Sequence, residues 1–118
     1  MPETPVLDRA VIDDMVEHIG ADALRPVIEL FVGESRRYVA LIRQGASAGD
    51  PAGREVVRRA AHSLKSSAGQ LGAAALAEAA AGIEHAAGDA RAPLGERAAA
   101  LETCAAATAV AMSGLLSE

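Results

Sequence analysis

Asp50-Pro51-Ala52-Gly53-Arg54-Glu55-Val56-Val57-Arg58-Arg59-Ala60-Ala61-His62-Ser63-Leu64-Lys65-Ser66-Ser67-Ala68-Gly69-Gln70-Leu71-Gly72 is the stretch from which this chain is best read. Its apolar positions, Val57, Ala60, Ala61, Leu64, Ala68 and Leu71, recur at the three- and four-residue intervals of a helix with one buried face. Asp50 is placed to cap the helix and Pro51 to occupy its first position, where a missing N–H costs nothing. The spacing predicts a helix over roughly 51–71, broken at Gly72. With Leu64 toward the core, His62 points about 160° away, into solvent, beside Glu55, Arg58, Arg59, Lys65, Ser66 and Gly69. Lys65, one turn on, is the only lysine in the chain.

The same periodicity extends in both directions. Leu7, Val11, Ile12, Met15, Val16 and Ile19 form a first, short helix that Gly20 ends. A longer one follows Asp22, read as its N-cap, with Leu24, Val27, Ile28, Phe31, Val32, Val39 and Ile42 on its apolar side. Gly45, Gly49 and Asp50-Pro51 punctuate the chain before the His62 helix. Beyond Gly72, Leu76, Ala79, Ala80 and Ile83 mark a fourth helix that stops near Gly88. Pro93 is expected to open the fifth, whose stripe is Leu94, Ala98, Leu101, Cys104, Ala105, Thr108, Met112 and Leu115. Nothing reads as a strand, and the connections are short. An all-α fold follows: an antiparallel up-down four-helix bundle with an additional short N-terminal helix, as one domain over 1–118.

Composition excludes several classes of function. Hydrophobic residues make up 51% of the 118, too many for a disordered chain, while aromatics are only 2%. A core with so few rings is filled by small and aliphatic side chains, which suits close-packed helices. The net charge of −5 argues against nucleic-acid binding, which needs a basic footprint and stacking platforms. Cys104 is alone, so no intrachain disulfide forms and a reducing compartment is the natural reading. No apolar run is expected to span a bilayer, and the N-terminus lacks signal-peptide character. A cytoplasmic monomer is expected, and the starting Met1 favours a free-standing protein.

The flanks of His62 have chemical uses. An exposed imidazole, with an ordinary pKa near 6.5, is largely neutral at neutral pH, so one ring nitrogen keeps a free lone pair. A cation one turn away steadies a phosphoryl group placed there. Ser66, Ser67, Ala68 and Gly69 keep the surface beside the ring low, so that another protein can approach. Such a face suits an imidazole that receives phosphate and hands it on.

The stretch Ala61-His62-Ser63-Leu64-Lys65-Ser66-Ser67-Ala68-Gly69-Gln70-Leu71-Gly72-Ala73 resembles the signature of histidine-containing phosphotransfer (HPt) domains. Val6-Leu7-Asp8, Glu29-Leu30-Phe31, Gly49-Asp50 and Leu76…Ile83-Glu84 also fall where that family has counterparts. The resemblance implies a helical bundle whose exposed histidine is phosphorylated on Nε2 and exchanges the group with an aspartate of a receiver domain. It makes His62 the phosphoryl acceptor and Lys65 the cation favouring the phosphorylated state. Glu84 matches a position where family members place a Gln or Glu that bonds the other ring nitrogen. Ser66 departs from the pattern, because glycine usually follows the lysine.

The expected partner is the receiver domain of a response regulator or hybrid histidine kinase, docking over Arg58, Arg59, Ser66 and Gly69. The partner would bring Mg²⁺, the chain itself no cofactor, so it is a relay intermediate rather than an enzyme. Two rivals remain at this stage. One is an HPt-like adaptor that regulates a kinase or receiver by binding without phosphotransfer. The other is a metal-holding bundle, for which Glu17-His18 and Glu84-His85 are poor ligand pairs because adjacent side chains on a helix diverge. His18 reads as a dipole contact at a helix end, His85 as solvated, and Arg36-Arg37 as exposed.

Overall fold

The computed structural model describes residues 3–117; Met1, and with it the reading placed on it, lies outside them. Five α-helices follow one another: α1 (Arg9–Ile19), α2 (Leu24–Ala48), α3 (Pro51–Gln70), α4 (Ala74–Ala87) and α5 (Gly95–Leu115), with a 3-10 turn at Ala21–Ala23. Among the described residues there is no strand. α2 packs on α3 and α5, and α4 packs on the same two, closing a four-helix bundle. α1 is the additional short N-terminal helix.

Local chemistry explains most boundaries. Asp8 caps α1, its carboxylate accepting from Ala10 N–H at 3.1 Å and Val11 N–H at 3.4 Å. Gly20 ends it at φ 85°, and Gly49 ends α2 at φ 69°. Asp50 caps α3, accepting from Gly53 N–H at 2.7 Å, with Pro51 in the first turn. Two expected starts move. Asp22 does not cap α2: it lies inside the 3-10 turn, and Ala23 holds the cap position with no side-chain bond. The chain leaving Gly20 tightens into that turn first, which puts Asp22 one residue too early to reach the orphan N–H groups. Pro93 likewise does not open α5. The first intrahelical bond runs from Ala98 N–H to Leu94 O at 2.8 Å, so Leu94 is the cap and its side chain, 4% exposed, plugs the end of the core.

The core is aliphatic and small: Ile28, Ile42, Val57, Leu64, Leu76, Ile83, Leu101 and Met112 are buried together with many alanines, and Phe31 is its one ring. Two buried hydroxyls are satisfied along their own helices, Ser35 donating to Phe31 O and Thr108 to Cys104 O, each at 2.8 Å. Small residues set the helix spacing. A Cβ on Gly45 would lie 2.5 Å from Gly53 O, so α2 and α3 cross backbone to backbone there. The α3–α4 corner is equally tight. Gly72, at φ 76°, accepts from Asp8 N–H at 2.7 Å, and Pro5 O takes the N–H of Ala75 in the first turn of α4 at 3.0 Å. Those bonds seat the N-terminal segment against the corner that follows the His62 helix.

α5 corrects one expectation. By length and composition, with a mean hydropathy of 1.4 over its most apolar window, it reaches the range of a membrane-crossing helix. Alanine is the reason: it raises hydropathy on every face, so Ala99, Ala100, Ala106 and Ala107 are exposed while Leu101, Thr108, Met112 and Leu115 are buried. The predicted stripe is thus the buried one, with Cys104 and Ala105 at its half-buried edge. Burial raises the Cys104 thiol above its ordinary value, against a smaller opposing bond with Thr108.

Candidate functional site

His62 sits near the middle of α3, and its side chain keeps 62% of its accessible surface. Leu64, on the opposite side of the helix, is fully buried, as the periodicity requires. One ring nitrogen is engaged: Nδ1 lies 2.7 Å from Oε2 of Glu84, which projects from α4. An ionised carboxylate only accepts, so this contact places the ring proton on Nδ1 and leaves Nε2 with its lone pair. The other carboxylate oxygen, Oε1, lies 2.7 Å from the ammonium of Lys65. Glu84 therefore ties together the histidine and the lysine that the helix turn brings side by side. Its side chain is the least exposed of the three, at 21%. The carboxyl is held below its ordinary 4.5, chiefly by Lys65 and to a smaller degree by His62, against the opposing effect of burial.

The expected basic face is largely neutralised. Glu55 accepts from Arg58 Nε at 2.9 Å and Nη2 at 2.6 Å, and from Arg59 Nε at 3.0 Å. The two guanidiniums, Arg58 first, pull the Glu55 carboxyl down to about 2, and Glu55 in turn raises Arg58. Ser66 and Gly69 are exposed on the same side, and nothing stands within 4 Å of where a Gly69 Cβ would be. The surface beside the ring is low, flanked by paired rather than bare charges.

Sequence reading overlooked Arg54. Two turns before His62, its Nη2 donates to Ala86 O at 2.8 Å and also to Asp89 O, tying α3 to carbonyls at the end of α4. Its Nε is buried without a hydrogen-bond partner. Partners 32 and 35 residues away leave no local signal in the sequence. The remaining histidines stay apart from this site. His18 contacts Asp14 O at 2.7 Å within α1, and His85 is exposed in the last turn of α4. Among the described residues no group of three His, Cys, Asp or Glu side chains converges as metal ligands would.

The model of the Hpt domain family matches residues 26–114, which hold both His62 and Glu84. The chain thus belongs to the Hpt domain family, the histidine phosphotransfer proteins of phosphorelays. Among solved structures it is similar to histidine-containing phosphotransfer protein B (HptB) from Pseudomonas aeruginosa PAO1, with a TM-score of 0.83 at 23% identity over 96% of each chain. That likeness establishes a shared fold. No curated protein sequence matches the chain.

Proposed function

We propose that His62 accepts a phosphoryl group on Nε2 and exchanges it with an aspartate of a receiver domain, on a response regulator or a hybrid histidine kinase. The observation that carries this reading is the 2.7 Å contact between His62 Nδ1 and Glu84, on a ring that is otherwise open to solvent. Fixing the proton on Nδ1 makes Nε2 the nucleophile, and the hydrogen bond to a carboxylate strengthens it in that role. The Nε2 lone pair attacks phosphorus in line, the bond from phosphorus to the aspartyl oxygen breaks, and the aspartate leaves as carboxylate. The receiver brings Mg²⁺ and most of the charge stabilisation, so the chain acts as a relay intermediate that presents a positioned nucleophile. Docking falls over His62, the low surface at Ser66 and Gly69, and the rim formed by Arg58 and Arg59. The setting is cytoplasmic, and the chain acts as a monomer.

The test is phosphoryl transfer from a ³²P-labelled receiver domain. Parent protein acquires label that is acid-labile and alkali-stable, and His62→Gln loses it entirely. Undiminished labelling of His62→Gln overturns the assignment. Binding of the receiver without any transfer favours the adaptor instead.

A further inference from the structure

One carboxylate serves two neighbours at this site. Glu84 holds the Nδ1 proton of His62 with one oxygen and the Lys65 ammonium with the other, both at 2.7 Å. In the unmodified protein the cation expected to steady a phosphoryl group is therefore already bonded elsewhere. His62 and Lys65 share this one carboxylate. Arg58 and Arg59 are held by Glu55, and Arg58 also feels the charge of Glu84. His85, beside Glu84 on α4, is exposed.

Phosphorylation changes what each group needs. When a neutral imidazole with its proton on Nδ1 forms the new bond from Nε2 to phosphorus, that proton stays. The ring becomes an imidazolium carrying a phosphoryl group of roughly two negative charges. The site then holds two anions, Glu84 and the phosphoryl group, and two cations, Lys65 and the ring. Opposite charges pair best when Lys65 turns to the phosphoryl group and Glu84 keeps the imidazolium alone.

We propose that Lys65 is handed over on phosphorylation: Glu84 holds it while His62 is unmodified and releases it to the phosphoryl group. The carboxylate then retains the Nδ1 proton of the modified ring and keeps the phosphoryl group transferable. A protonated phosphoimidazole is the better leaving group, because the ring departs as a neutral imidazole rather than an anion. Glu84 thereby sets both the proton position before transfer and the lability of the product. This rests on the phosphoryl-accepting reading of His62, but not on any receiver.

Phosphoramidate, a small phosphoryl donor, provides the test without a protein partner. The bond from its nitrogen to phosphorus breaks, ammonia leaves, and His62 Nε2 takes the phosphoryl group. Decay of the phosphohistidine is followed by ³¹P NMR across pH in the parent, Glu84→Gln and Lys65→Met, with ¹⁵N and ¹³C labels reporting Lys65. In the parent, the Lys65 Nζ and Cε signals shift on phosphorylation. Glu84→Gln keeps an acceptor for the Nδ1 proton but loses the charge. Its decay profile moves to lower pH by about one unit, so the phosphoryl group lasts about tenfold longer on the alkaline limb. Lys65→Met shows no such move and loses its phosphoryl group faster than the parent. Coincident profiles for the parent and Glu84→Gln overturn the proposal. So do Lys65 signals that stay put on phosphorylation, a readout needing no variant should Glu84→Gln fail to fold. Failure of phosphoramidate to label His62 also overturns it. A protein that phosphoramidate labels, but that exchanges with no receiver, removes the relay reading and leaves the handover standing.

Discussion

Glu84 joins His62 and Lys65 through its two carboxylate oxygens, and its charge state sets those contacts over a definable pH range. Its carboxyl lies below 4.5 chiefly because Lys65 stands beside it. A depressed carboxyl contributes stability that is present above its unfolded value and is lost as pH falls through the folded one. The contacts with His62 and Lys65 accordingly hold from neutral pH down past 4.5 and fail only in stronger acid. Lys65→Met should move the Glu84 titration up toward its ordinary value, as read from the carboxyl ¹³C shift. An unmoved midpoint would show that the ammonium does not hold this carboxylate. Periodicity in the sequence placed His62 outward, opposite Leu64, and put Lys65 one turn along. The bond to Glu84 had no such signal, since 22 residues separate the partners and only the register of α3 against α4 joins them. It was anticipated solely through resemblance to a family.

At the scale of the elements, α3 and α4 form the working pair, and Arg54 fastens them. Its guanidinium answers carbonyls at the end of α4, which a helix terminus otherwise leaves to water. Arg54→Met removes charged hydrogen bonds from a half-buried position and should cost about 2 kcal/mol in urea denaturation. A loss below about 0.5 kcal/mol would show that water replaces the guanidinium freely. The cap of α3 was plain from sequence at Asp50-Pro51, where the chain approaches the helix directly. The start of α2 was not, because Gly20 first turns the chain into a 3-10 turn that displaces Asp22.

For the molecule as a whole, close approach of small residues sets the geometry that carries the site. Alanine normally improves a helix by up to about 1 kcal/mol over glycine. That sign should reverse at Gly45, where the added carbon would meet Gly53 O at 2.5 Å and Val57 Cγ2 at 2.8 Å. Gly45→Ala should cost about 1–3 kcal/mol, the usual toll of overpacking. Gly33→Ala, in the same helix with nothing within 4 Å, should instead gain roughly 0.5–1 kcal/mol. Thermal melts of the two variants moving in the same direction would remove the crossing of α2 and α3 from this account.

By itself the sequence determined the helices, their buried faces and the outward aim of His62, because each depends on periodicity and capping within a few residues. Only the tertiary structure decided that Lys65 is held by Glu84, that Glu55 neutralises Arg58 and Arg59, and that Arg54 joins α3 to α4. Two of these depend on how α3 lies against α4, which is settled by packing along the whole length of both helices and not by any pattern within a few residues. The third lies within about one helix turn, where spacing makes Glu55, Arg58 and Arg59 neighbours and their rotamers decide that they bond.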